Sequence, residues 1–119
     1  MKSSAQSGVS ADAVLSQAID RLWVRFLPEI RERVALLESS AIAVSAKKLT
    51  SSRREAAQAA AHKLAGVLGT FNLARGTTLA RELEAAFSRE SAPGPSAGKR
   101  LAAIAAELRA MIENRPSTG

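Results

Sequence analysis

Cysteine is absent from this 119-residue chain and histidine occurs once. The first absence excludes disulfides, zinc–thiolate sites and thiol catalysis, and the second excludes any multi-histidine metal centre. Aromatic residues make up only 3% of the chain, being Trp23, Phe26, Phe71 and Phe87. That scarcity argues against a module that stacks nucleic-acid bases on exposed rings. No apolar run approaches the roughly 20 residues that span a bilayer. Met1 to Ser10 is polar with no apolar stretch, so no secretory signal is read there and a cytoplasmic location is expected.

What is present is aliphatic and charged. Hydrophobic residues are 46% and charged residues 24%, the balance of one ordinary globular domain. The core must be built from Leu, Ile, Val and many alanines, and alanine is the strongest helix former. Seventeen Lys and Arg against 11 Asp and Glu leave a net charge of +6. Such a balance attracts acidic partners, whether nucleic acid, a membrane surface or an acidic protein pocket. The basic residues are scattered, among them Lys47-Lys48, Arg53-Arg54, Lys63, Arg75 and Arg81, without a tight run.

Periodicity places the helices. Val14, Leu15, Ala18, Ile19, Leu22, Trp23 and Phe26 recur at spacings of three and four, with Ser10 as N-cap. Ile30, Val34, Leu37 and Ala41 resume the pattern beyond Pro28. This predicts one long helix kinked at Pro28 rather than two separate helices. Lys47 to Ser52 reads as a connection, with Ser52 and Glu55 spaced as a capping box. A helix follows from Arg53 to about Thr70. Phe71-Asn72 is a break, Asn being tolerant of a left-handed turn and able to cap a third helix, Leu73 to about Ser88. Ser91 to Gly98 is a Pro- and Gly-rich loop, and Lys99 to about Asn114 forms the last helix. The expected fold is all-α, an antiparallel up-and-down four-helix bundle with a long or kinked N-terminal helix. The expected organisation is a flexible tail over 1–10, a bundle domain over 11–115 and a C-terminal tail over 116–119.

The informative segment is Arg53 to Gly69. On a helix, Leu64, Val67 or Leu68 and Phe71 form a core-facing stripe with Ala57 and Ala60. His62 lies roughly 200° from Leu64 and therefore faces solvent. Around it, at spacings of three, four and seven, stand Ala59, Ala65, Gly66 and Gly69, with Gln58 and Glu55 further back. Two glycines in a helix each cost about 1 kcal/mol relative to alanine, so purely local reasons do not account for them. A smooth patch around an exposed imidazole admits a large partner, and imidazole near neutral pH is a nucleophile. Gly66 leaves volume beside the ring. Gln58 or Glu55 would fix the ring tautomer, and Lys63 or the Arg53-Arg54 pair would offset phosphoryl charge.

The run Ala61-His62-Lys63-Leu64-Ala65-Gly66-Val67-Leu68-Gly69-Thr70-Phe71 resembles the phosphoacceptor motif of histidine-phosphotransfer (Hpt) domains. That pattern is His, an apolar residue two on, usually Lys three on and Gly four on. A helix carrying Leu-Glu follows it, matched here by Leu79, Leu83 and Glu84. The resemblance extends from about Ala11 to Asn114, with Trp23, Phe26 and Val34 packing behind the histidine helix, and is specific from Ala61 to Glu84. Two departures are Ala65 in the usual Lys position, with Lys63 instead beside the histidine, and Asn72 where Gly is common.

The resemblance implies a phosphocarrier without catalytic activity of its own. His62 would be the phosphoacceptor, supported by Lys63, Gly66 and Gln58, with Ala59, Ala65, Gly69 and Glu55 as docking surface. Partners would be response-regulator receiver domains or a hybrid histidine kinase. No metal or cofactor is expected in this chain, Mg²⁺ being held by the receiver, and a monomer is expected, with no nucleic acid and no membrane. The alternatives are a phosphate-independent helical interaction module and a small basic nucleic-acid-binding protein. A kinase dimerisation helix would carry an acidic residue after the histidine and a nearby Pro, and a hydrolase would need a nucleophile or carboxylate on the same face.

Overall fold

The computed structural model describes residues 10–91 and 93–116, so most of both expected tails, 1–9 and 117–119, lies outside the described residues. Among the described residues four α-helices follow one another: α1 (Ala11–Ser45), α2 (Ser51–Thr70), α3 (Ala74–Ala86) and α4 (Gly98–Glu113), with a 3₁₀ turn at Pro95–Ala97 before α4. Helix α1 packs on α2 and α4, and α3 packs on α2 and α4, which closes the four into an antiparallel bundle.

Local chemistry sets the helix ends. The Ser10 hydroxyl accepts from the Ala13 amide at 3.0 Å and starts α1. Pro28 lies inside α1, which runs unbroken through it to Ser45. The start of α2 differs from the expectation. Thr50, not Ser52, is the N-cap, its hydroxyl accepting from the Arg53 amide at 3.1 Å, and the helix begins at Ser51. Thr50 and its serine neighbours have similar capping chemistry, so residue type alone does not choose among them.

Helices α1 and α2 both end in a Schellman arrangement. The Lys48 amide donates to Ala43 O at 2.8 Å with Lys47 at φ 59°, and the Leu73 amide donates to Leu68 O at 2.9 Å with Asn72 at φ 60°. Asn72 thus takes the left-handed turn expected of it. It does not cap α3, because Leu73 stands before that helix without a side-chain cap bond.

The core follows the apolar stripes: Ile30, Val34, Leu37, Ala41 and Val44 of α1, Ala57, Leu64 and Leu68 of α2, Leu79 and Leu83 of α3, and Leu101 and Leu108 of α4. Phe87, just beyond α3, is wholly buried. Small residues allow close approach. Gly98, at the start of α4, lies against the end of α1, where an added Cβ would meet Ser45 Oγ and stand 2.9 Å from the Ser45 backbone nitrogen.

Charged pairs tie α4 to its neighbours by bidentate bonds. Arg109 donates to Glu38 at 2.7 and 2.8 Å, Arg31 to Glu113 at 2.8 and 2.7 Å, and Arg75 to Glu107 at 3.0 and 3.3 Å. Beyond α4, the Arg115 guanidinium covers Trp23 at 4.9 Å and Phe71 at 5.7 Å and reaches Asp20 at 3.2 Å. Trp23 meets Phe71 edge-on at 5.1 Å. This cluster fastens the α2–α3 turn to α1. The α1 residues ahead of it are more open, with Val14 51% and Leu15 59% exposed.

Candidate functional site

Helix α2 buries Ala57, Ala60, Ala61, Leu64, Ala65 and Leu68 and turns its other side outward. His62 is on that outer side, its side chain 74% exposed. Gly66 follows four residues later, and a Cβ built there would have no neighbour within 4 Å. The volume beside the ring is therefore open, and no packing within the bundle requires glycine at this position. Gly69 differs little, since its Cβ would meet only Thr77 Oγ1, at 3.7 Å. Glu55, Ala59 and Lys63 are exposed on the same helix, and Gln58 is half-buried.

The decisive contact comes from α3. His62 Nδ1 lies 2.8 Å from Glu84 Oε2, across 22 residues of sequence. An ionised carboxylate only accepts, so this bond places the ring proton on Nδ1 and leaves the lone pair of the neutral imidazole on Nε2. Glu84 is 29% exposed and sits where α3 packs on α2. Its backbone is held by the burial of Leu79, Ala80 and Leu83 on the same helix.

Three expectations for this region need correction. The tautomer-fixing partner is Glu84, not Gln58 or Glu55, because the ring leans toward the α2–α3 groove rather than along its own helix. Ala65 is 4% exposed and belongs to the core, so it offers nothing to a docking partner. In projection Ala65 stands about 60° from His62, on the side where α3 closes over α2. Arg54 is not free to neutralise a phosphoryl group. Its side chain is 12% exposed and its Nη1 donates to Phe87 O at 2.7 Å, capping the end of α3. Lys63 remains exposed, about 100° around the helix from His62.

Sequence reasoning had one route to the His62–Glu84 pair. In an antiparallel α2–α3 hairpin turning at Asn72, residues equally distant from the turn face each other, and His62 and Glu84 stand 10 and 12 residues from it. Among the described residues, no group of three His, Cys, Asp or Glu side chains comes close enough to hold a metal ion. No helix of the described residues is long and apolar enough to cross a membrane.

Fold and site together define a helical bundle that displays one oriented, solvent-facing imidazole. The family model of the Hpt domain matches residues 21–115, and the chain belongs to that family. No curated protein and no solved structure gives a significant match. Hpt domains serve phosphotransfer in two-component signalling, as phosphocarrier modules that interact with receiver domains and kinases.

Proposed function

We propose that this protein accepts a phosphoryl group on Nε2 of His62 from the phosphoaspartate of a receiver domain and returns it to a receiver aspartate. The observation that carries the reading is the Nδ1–Glu84 bond on an imidazole that is otherwise exposed. The Nε2 lone pair attacks phosphorus, a nitrogen–phosphorus bond forms, and the aspartate carboxylate leaves as the oxygen–phosphorus bond breaks. Nδ1 keeps its proton, and the positive charge that develops on the ring faces the Glu84 carboxylate. The reverse reaction uses the same contacts, as a carrier requires.

The other site residues take lesser parts. Gly66 gives the phosphoryl group room, and Lys63 adds positive charge near it. Glu55, Ala59 and Gly69 form the surface on which the receiver rests, with Gln58 at its edge toward α3. In this reading Mg²⁺ is bound by the receiver and the chain has no resident cofactor.

The test is transfer from phosphorylated receiver domains to wild type, His62→Gln and Glu84→Gln. Wild type becomes labelled through an acid-labile linkage and His62→Gln does not. Glu84→Gln folds and is labelled at least tenfold more slowly, because the amide carries no charge to set against the ring. Labelling of His62→Gln would end the proposal, and an unchanged rate for Glu84→Gln would remove Glu84 from the mechanism.

A further inference from the structure

Glu84 can orient His62 only if the end of α3 is held in one place on α2. Helix α3 is the shortest of the four, with 13 residues, and no side chain caps its start. A helix of that length depends on its neighbours for its setting. Its buried stripe of Gly76, Leu79, Ala80 and Leu83 drives it onto the bundle, but apolar burial is non-directional. Directional bonds set it more closely. Near the start of α3, Arg75 holds Glu107 of α4 at 3.0 and 3.3 Å. Near its end, Arg54 of α2 donates to Phe87 O at 2.7 Å.

The position of the Arg54 bond ties it to the site. Phe87 stands three residues after Glu84, and its carbonyl lies past the α3 ladder, where no backbone amide of the described residues takes it. The Arg54 side chain is 12% exposed, and its contact with the Glu55 carboxylate is longer, at 3.8 Å. On α2, Arg54 lies about 80° around the axis from His62 and about 12 Å along it, on the side that α3 covers. On α3, Phe87 lies about 4.5 Å beyond Glu84 in the same direction, because the two helices are antiparallel. The length of the arginine side chain takes up the difference. Two bonds thus join α2 to the end of α3, Arg54 to the backbone and His62 to the Glu84 side chain. The first fixes where the second forms.

We infer that Arg54 is a positioning residue for phosphoryl transfer: by fixing the end of α3 on α2, it holds the Glu84 carboxylate at His62 Nδ1 and so keeps the ring proton away from the nitrogen that reacts. The inference rests on the carrier reading above. Arg54 takes no part in the chemistry and acts through Glu84. A guanidinium suits the place, because its charge favours the carbonyl end of a helix and its donors sit in a rigid fork.

The single histidine supplies a readout independent of transfer, since every imidazole nitrogen signal in an NMR spectrum belongs to His62. The signals are recorded in alkaline buffer, where a histidine ring is neutral and its nitrogens report the tautomer. Transfer from a saturating phosphorylated receiver, helicity and melting are measured on the same preparations. The proteins are wild type, Arg54→Gln, Arg54→Lys, Glu84→Ala, the double variant Arg54→Gln/Glu84→Ala, and Val34→Ala as a control for lost core packing. In Arg54→Gln, whose side chain is too short to reach Phe87 O, the signals move most of the way to those of Glu84→Ala and transfer slows at least fivefold. Arg54→Lys keeps a charged donor and recovers at least half of both effects. Val34→Ala melts lower than wild type yet keeps its signals, and its rate stays within twofold. In the Glu84→Ala background, Arg54→Gln slows transfer no further. Wild-type imidazole signals in a folded Arg54→Gln, or equal slowing in both backgrounds, would overturn the inference and leave the carrier reading standing. A wild type that takes no phosphate from any receiver would remove the carrier reading and with it any part for Arg54 in transfer.

Discussion

Gly66 allows stability and function to be separated with a single methyl group. It sits in the interior of α2, where glycine is about 1 kcal/mol less favourable than alanine. A Cβ there meets nothing within 4 Å, so the usual steric objection to Gly→Ala is missing. The Thr70 hydroxyl bonds to the Gly66 carbonyl, which the substitution keeps. Gly66→Ala should therefore stabilise the fold by about 0.5–1 kcal/mol, or roughly 3–6 °C in melting temperature for a chain of this size. The same methyl stands about 40° around the helix and one turn along from His62, where the proposed reaction places the phosphoryl group and its receiver. Transfer should slow severalfold in Gly66→Ala and at least a hundredfold in Gly66→Leu, with both proteins melting no lower than wild type. Thermal melts and transfer rates on the same preparations decide the matter. A destabilised Gly66→Ala would show that the open space is not as described, and unchanged transfer in Gly66→Leu would show that nothing docks beside the ring.

Gly98→Ala should act in the opposite direction. Its Cβ would stand 2.9 Å from the backbone nitrogen of Ser45, so α1 and α4 must separate, at a cost of about 1–3 kcal/mol; a melt within a degree of wild type would refute this. Stability should also fall in acid. The Arg109 hydrogen bond holds the Glu38 carboxyl below its ordinary value of 4.5, and the Arg31 hydrogen bond does the same for Glu113. Between the folded and unfolded values the unfolded chain binds more protons. The contribution is therefore complete above the unfolded value and is lost as pH falls through the folded ones. Glu38→Gln/Glu113→Gln should flatten that acid limb in denaturant titrations, and an unaltered slope from pH 5 downward would refute the assignment.

Much of the architecture was legible locally. Helices announce themselves by a period of 3.6, and Leu64, Leu68, Leu79, Leu83, Leu101 and Leu108 fell on buried stripes because each stripe must find a core. Ser10 and Asn72 act through bonds to residues close in sequence, so their capping and turning were readable. The outward position of His62 followed from the same projection.

Tertiary structure decided whatever depends on which helix lies alongside which. Alanine suits a core and a surface equally, so Ala59 and Ala65, six residues apart, could not be told apart until α3 covered one and left the other exposed. Arg54 and Arg53 are identical neighbours, yet only Arg54 points to the end of α3, where it finds the Phe87 carbonyl. The partner of His62 was hidden for the same reason. Gln58 and Glu55 are near it along the helix, but a hydrogen bond depends on distance in space, and the α2–α3 hairpin brings Glu84 to 2.8 Å. Residue patterns determined that this chain forms a helical bundle with an exposed histidine; the packing of α3 on α2 determined which ring nitrogen meets Glu84 and which faces solvent.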